Sequence, residues 1–358
     1  MSLKLSLLGV TASLLVGIHA EQYPPLPTWK CTASGCVQQN TGVVLDKDAV
    51  KYAKGAPGQR TTSDYTAMGV TTSGNALTLY HYVNRNSASP RVYLIDRDTN
   101  KYVMMSLLGQ ELTVDVDFST LPCGENGAFY LSEMEAGGRG GGGAAAGSGY
   151  CDAQCQGYCC NEMDILESNS QATSMTPHPC KGNSCDKAGC NFNPYAKGDR
   201  NFWGPGKTVD SSKPVTVITQ FIASGGKLTQ VVRKYIQNGK TINSGTISNC
   251  GNEGTYGGLT GMGAALGRGS KSFHVSYGGF DAWLGSPRRE RFRDHEVNVL
   301  TSRVQSGPGY EHLERPQGAN AMARPGQQWT MPKGSRNSGQ HPSSESQHAR
   351  RVFEHPVG

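Results

Sequence analysis

The chain has 358 residues, 47 of them glycine, with only 17% charged residues and a formal net charge of +6. That length allows one large domain or two smaller ones, and the composition suits short strands joined by many turns rather than long helices. From Arg268 onward 13 Lys/Arg stand against 8 Asp/Glu, so five of the six excess positive charges lie in the last quarter. That tail lacks the basic face interleaved with aromatics that a nucleic-acid partner would require.

Residues 1–20 read as a signal peptide. Lys4 supplies the positive start, residues 5–16 form an apolar run, and Ala20 closes it with a small side chain. The run is too short to span a bilayer and no later stretch is long enough, so a soluble, secreted protein with no membrane partner is expected. Eleven cysteines agree with an oxidising compartment and read as disulfides. The run Cys151-x3-Cys155-x3-Cys159-Cys160 has the look of a zinc site, but adjacent cysteines are poor tetrahedral ligands. The odd count means that one cysteine is unpaired or that its partner is missing.

Alternating apolar residues predict strands over 76–83, 91–96, 111–118, 128–134, 214–221 and 230–236. In the third, Leu112, Val114, Val116 and Phe118 share a face. Gln237-Asn238-Gly239-Lys240 reads as a hairpin turn. Residues 137–149, almost all Gly and Ala, read as a flexible surface loop. No helix-length amphipathic pattern precedes the tail. Many short strands without an internal repeat predict an all-β sandwich.

The informative stretch follows Cys159-Cys160: Glu162, Asp164 and Glu167 stand within six residues among apolar neighbours. On a strand, Glu162 and Asp164 point to one face; Glu167 has the wrong parity and joins them only across a bulge or bend. Crowded carboxylates repel, so at least one pKa should rise. Glycoside hydrolysis uses such a set, one carboxylate attacking while a protonated one donates to the leaving oxygen. An acidic, solvated edge strand is the plain alternative. Calcium binding would want more Asp and Asn oxygens in one loop.

Glu-x-Asp-x-x-Glu after two cysteines resembles the active-site signature of glycoside hydrolase family 7, endoglucanase type. Its neighbours match too: Leu121-Pro-Cys-Gly-Glu-Asn-Gly127, Gly149-Tyr-Cys-Asp-Ala-Gln-Cys155, Thr176-Pro-His178, Gly189-Cys-Asn-Phe-Asn-Pro-Tyr195, Gly204-Pro-Gly206 and Val217-Ile-Thr-Gln-Phe221. The match covers about residues 21–268. The resemblance implies a concanavalin A-like jelly-roll β-sandwich with a substrate cleft on its concave face. It implies Glu162 as nucleophile, Glu167 as acid/base, Asp164 as the residue that tunes Glu162, and His178 near the acid/base. Arg91, Asn126, Tyr130, Tyr150, Asp152 and Gln154 fall at positions that line the cleft. Cellulose or a related β-1,4-glucan is the implied partner, attacked by a monomer that needs no metal or organic cofactor. The implied disulfides are Cys31–Cys36, Cys151–Cys160, Cys155–Cys159, Cys180–Cys185 and Cys190–Cys250, leaving Cys123 alone.

The sequence departs from the family pattern in three places. Residues 47–60 are short and lack the Trp and Cys that relatives carry there. Between Cys155 and Cys159 only Gln-Gly-Tyr remains of a longer loop. Both changes remove cleft wall, which favours an open endo-acting cleft over the tunnel of a cellobiohydrolase. Finally, beyond residue 269 the family pattern disappears. Residues 21–269 are therefore read as an incomplete catalytic domain and 270–358 as an atypical tail. The tail reads as a retained intron to about 302, then a real exon one base out of frame. Shifted by one base, Met331-Pro332 must encode Cys and Met322-Ala323 Trp, and Glu311–Arg315 can read Ser-Ile-Trp-Asn-Asp, all in the family's order. Without the family's C-terminal strands, the printed chain is expected to expose sheet edge and lose activity. A degenerate, non-catalytic carbohydrate-binding sandwich is the rival from another functional class.

Overall fold

The computed structural model describes residues 20–50 and 52–268, and the strands Phe273–Gly278 and Glu296–Ser306. The signal peptide, apart from Ala20, and the shifted-frame motifs of 311–358 lie outside the described residues. In chain order the main strands are β1 (Thr28–Thr32), β2 (Gly35–Gln39), β3 (Thr41–Leu45), β4 (Val70–Ser73), β5 (Ala76–Tyr80), β6 (Arg91–Asp96), β7 (Lys101–Tyr102), β8 (Gln110–Asp117), β9 (Asn126–Ser132), β10 (Glu162–Ser168), β11 (Thr173–His178), β12 (Val215–Ser224), β13 (Lys227–Gln237), β14 (Lys240–Ile247), β15 (Phe273–Gly278) and β16 (Glu296–Ser306).

They form two sheets. One runs β2-β1-β16-β8-β12-β13-β14, with β5 on β16 and β4 on β5; the other runs β11-β10-β9-β15-β6-β3, with β7 on β6. Every pairing in them is antiparallel except β1 with β16. Between the sheets lies one core. Leu112, Val114 and Val116 of β8, Val217 and Phe221 of β12, and Val231 and Tyr235 of β13 meet Val43, Val92, Leu94, Phe129, Leu131, Met163, Ile165 and Leu166 of the other sheet. The period-2 alternation sets which side chains enter it, and each buried Leu, Val or Phe contributes about 1.5–3 kcal/mol. The architecture is the jelly-roll sandwich, all-β as the alternation predicts.

Five disulfides close the loops: Cys31–Cys36, Cys151–Cys160, Cys155–Cys159, Cys180–Cys185 and Cys190–Cys250. The zinc-like cysteine run is thereby consumed in pairs. The Cys155, Cys159 and Cys185 sulfurs lie within 4.8 Å of one another because two disulfides abut there. Oxidised sulfur offers no thiolate to a metal.

Several elements differ from expectation. The strand over 76–83 breaks at His81, and Tyr82–Val83 pairs instead with Asn86–Ser87. Of residues 137–149, expected as a flexible surface loop, Gly137 and 139–142 are exposed, whereas 143–149 form a packed layer. Ala144, Ala146 and Ser148 are buried, Lys47 donates its N–H to the Gly147 carbonyl, and Arg60 donates to the Ala146 carbonyl. Small residues let the backbone press against β3: a Cβ at Gly147, where φ is +72°, would sit 1.8 Å from the Leu45 carbonyl oxygen. This layer covers a second apolar cluster, Val44, Tyr93, Ile95, Tyr102, Met134 and the Cys151–Cys160 pair, on the outer face of the second sheet.

A helix, Gly258–Gly267, also went unforeseen. It is apolar around most of its circumference, with Leu259, Met262, Ala265 and Leu266 buried, so it carries no amphipathic stripe to read. Gly263 lets it lie close on β13, since a Cβ there would meet Leu228 at 2.5 Å. Lastly, β15 and β16 come from beyond residue 270, yet both sit inside sheets, β15 between β9 and β6 and β16 between β1 and β8. The bare sheet edge expected of the printed chain is absent at these positions. The strings Phe-His-Val-Ser-Tyr and Val-Asn-Val-Leu-Thr-Ser-Arg-Val have enough β-branched and aromatic residues to extend.

Candidate active site

Strand β10 carries the carboxylates. Met163, Ile165 and Leu166 enter the core, so Glu162, Asp164 and Glu167 face outward. Two consecutive inward residues signal the broken parity. Against β9, Tyr130 pairs with Asp164 and Phe129 with Leu166, so Ile165 has no residue opposite it. Against β11, Asp164 pairs with Thr176 and Glu167 with Ser174, leaving Ile165 and Leu166 to face Met175 alone. Met175 turns its backbone the other way and exchanges both hydrogen bonds with Phe192. This is a β-bulge, and its one extra residue returns Glu167 to the face of Glu162 and Asp164.

The partners of each carboxylate differ. Asp164 is buried, and its Oδ2 lies 3.0 Å from His178 Nε2. The other ring nitrogen, Nδ1, donates to the Asp186 carbonyl at 2.8 Å, which fixes the ring and leaves Nε2–H for Asp164. Glu162 is half-buried and accepts the Ala153 backbone N–H at 3.0 Å. Glu167 is half-buried and accepts from Asn126 Nδ2 at 3.0 Å, with Thr176 also donating to it.

Electrostatics follow from the crowding. Burial, then the charge of Asp164, pushes the Glu162 carboxyl up to about 8. The charge of Asp164, then burial, pushes Glu167 up to about 7. Burial alone would lower His178, but its bond to Asp164 and the surrounding negative charge raise it to about 10, making it an imidazolium at neutral pH. The Asp164 charge thus raises both glutamates, so each holds its proton into the neutral range. A Glu167 carboxyl that keeps its proton near neutrality can donate it to a leaving oxygen.

The remaining predicted residues form a second group and two outliers. Tyr130 and Tyr150 bring their hydroxyls within 3.1 Å, and the Arg91 guanidinium stacks 3.4 Å from the Tyr150 ring centre. Arg91 is fixed by Asp46 at 2.9 Å. Burial raises both phenols well above the ordinary range, so both stay neutral. Asp152 is buried and accepts the Gln156 N–H, acting on Glu162 through charge alone. Gln154 is exposed and donates to the Lys187 carbonyl, next in the chain to the Ala153 that binds Glu162. Beside the site a cavity of about 410 Å³ opens, lined by Cys155, Asp186, Lys187 and Tyr256 among others.

Sequence reasoning assigned no role to Asp46, Ala153, Thr176 or Asp186. Two of them act through backbone atoms, which no side-chain pattern reveals. Thr176 stood inside a recognised string, two residues before His178, on the face its parity dictates.

An all-β sandwich holding two half-exposed glutamates, raised in pKa and flanking a buried aspartate, has the equipment of a glycoside hydrolase. The model for glycosyl hydrolase family 7 matches residues 58–157 and 156–261, and the chain belongs to that family. It is 46% identical over 305 residues to endoglucanase EG-1 of Hypocrea jecorina, covering 70% of this chain and 66% of that relative's length. It is 42% identical over 364 residues to the probable endo-beta-1,4-glucanase celB of Aspergillus clavatus, covering 79% and 87%. Among solved structures, an endoglucanase I complexed with cellobiose superposes with a TM-score of 0.71 at 31% identity, covering 81% of this chain and 98% of the other. A Humicola insolens endocellulase does so at 0.71 and 32%, covering 82% and 98%.

Proposed function

We propose that the protein is a secreted endo-β-1,4-glucanase that cleaves internal bonds of cellulose or a related glucan with retention of configuration. Glu162 is the nucleophile. Its carboxylate oxygen bonds the anomeric carbon as the C1–O bond breaks, and Glu167 passes its proton to the departing oxygen. Glu167 then takes a proton from water, whose oxygen displaces Glu162 from the sugar. Asp164, ion-paired with His178, keeps Glu162 oriented and raises the proton affinity of both glutamates. Arg91, Asn126, Tyr130, Tyr150, Asp152 and Gln154 complete the cleft and its support. The observation that carries this reading is the bulge at Ile165, which brings the third carboxylate onto the face of the other two.

An open cleft fits better than a tunnel, because Cys155 and Cys159 close a loop of only three intervening residues beside Glu162. Substitution by Glu162→Gln separates an enzyme from a binding module: turnover on carboxymethyl cellulose should fall at least about 10³-fold while cello-oligosaccharide affinity persists. Undiminished turnover would remove Glu162 from the chemistry. The ratio of viscosity loss to new reducing ends tests endo attack, and proton NMR of the first product tests retention. We also propose that residues beyond about 270 arise from a retained intron and a shifted exon. Sequencing of mature transcript across this region decides it, and a transcript encoding the printed tail ends the idea.

A further inference from the structure

We propose that Arg233 is a positioning residue that pins the bulge at Ile165 and so holds Glu167 on the face of Glu162. Arg233 lies on β13, in the opposite sheet, and is 1% exposed. Its guanidinium crosses the core. One terminal nitrogen donates to the Ile165 carbonyl and the other to the Tyr235 hydroxyl at 3.3 Å. Its Nε has no hydrogen-bond partner, and among the described residues no carboxylate pairs with it. A permanently charged group buried without a counter-charge is costly, and fold alone gives no reason to keep it there.

The acceptor explains the cost. Ile165 is the extra residue of the bulge, unopposed in β9 and facing a Met175 already committed to Phe192. A carbonyl at that position needs a donor from elsewhere. Without one, β10 regains a regular ladder most cheaply by slipping one residue beyond Asp164, which turns Glu167 toward the core. Glu162 and Asp164 precede the bulge and keep their places. The support is extended by the Tyr235 ring, which packs on Trp203, whose Nε1 donates to the Asn169 carbonyl just past β10.

This inference rests on the proposed roles of Glu162 and Glu167, and it predicts a split between substrates. Cellotetraose needs a proton on its leaving oxygen; 2,4-dinitrophenyl β-cellobioside releases a stable phenolate and needs none. In the full-length protein, Arg233→Met should lower kcat/KM on cellotetraose by roughly 10²-fold or more. First-turnover release of dinitrophenolate should stay within about threefold of wild type, and azide, which needs no general base, should restore later turnovers. The melting temperature should hold or rise, because an apolar side chain of similar volume replaces an unpaired charge. Arg233→Lys keeps a cation and one donor and should show the same split to a smaller degree; it decides the matter if Arg233→Met does not fold. Equal losses on both substrates, or none on cellotetraose, would overturn the inference. Wild-type protein inert toward both would instead overturn the hydrolase reading beneath it.

Discussion

Replacing Asp164 by Asn removes one charge from the centre of the cluster. It preserves the side chain's size and an oxygen for His178 Nε2–H. Two effects follow, with opposite signs. Losing the anion lowers the pKa of Glu162 and Glu167, since Asp164 raises both and is the largest influence on Glu167. Two residues along a strand span about 6.6 Å, so at an effective dielectric of about 20 the Asp164 charge costs an ionised Glu162 about 2.5 kcal/mol, or about 1.8 pH units. Against this, His178 loses its ion-pair partner, titrates lower, and withdraws the positive charge that now depresses both glutamates. That influence ranks below Asp164 on each, so the net shift is downward, by about one pH unit. The alkaline limb of kcat/KM marks loss of the proton on the general acid, so it should move to lower pH by that amount. The assay is kcat/KM on an aryl β-cellobioside between pH 4 and 9, wild type against variant. An alkaline limb that stays in place or moves upward would refute the raising of these carboxyls by the Asp164 charge.

Stability should also depend on pH in a defined direction. The folded-state pKa values of Glu162, Glu167 and His178 are all raised, so their contribution is greatest below the unfolded values. It is lost as pH climbs through about 7 to 10. The melting temperature should therefore fall between pH 5 and 9, and Glu162→Gln should flatten part of that slope; a steeper slope in the variant contradicts the raised pKa. Removing the Cys190–Cys250 bond by double Ser substitution opens a loop of 60 residues and should cost roughly 4 kcal/mol in denaturant titration. Gly147→Ala places a Cβ on the Leu45 carbonyl in a left-handed backbone and should cost about 3 kcal/mol or more. A neutral effect there would mean that the glycine-rich layer does not pack on β3.

Much of this protein was legible before any coordinates. Alternation in 91–96, 111–118 and 230–236 marks which side chains enter a core, because a strand's period is two whatever surrounds it. Three carboxylates within six residues mark a place where charge must be managed, and parity alone states the condition for Glu167 to join Glu162. Whether that condition holds was a tertiary matter. The bulge depends on Met175 being drawn to Phe192 and on Ile165 finding Arg233 across the core, contacts between residues 17 and 68 positions apart. The same holds for the Ala153 N–H on Glu162 and the Asp186 carbonyl on His178, since backbone groups carry no identity in a sequence. Residues 143–149 illustrate the converse limit. Gly and Ala look loose in isolation, and only the close approach of β3 turns their smallness into tight packing.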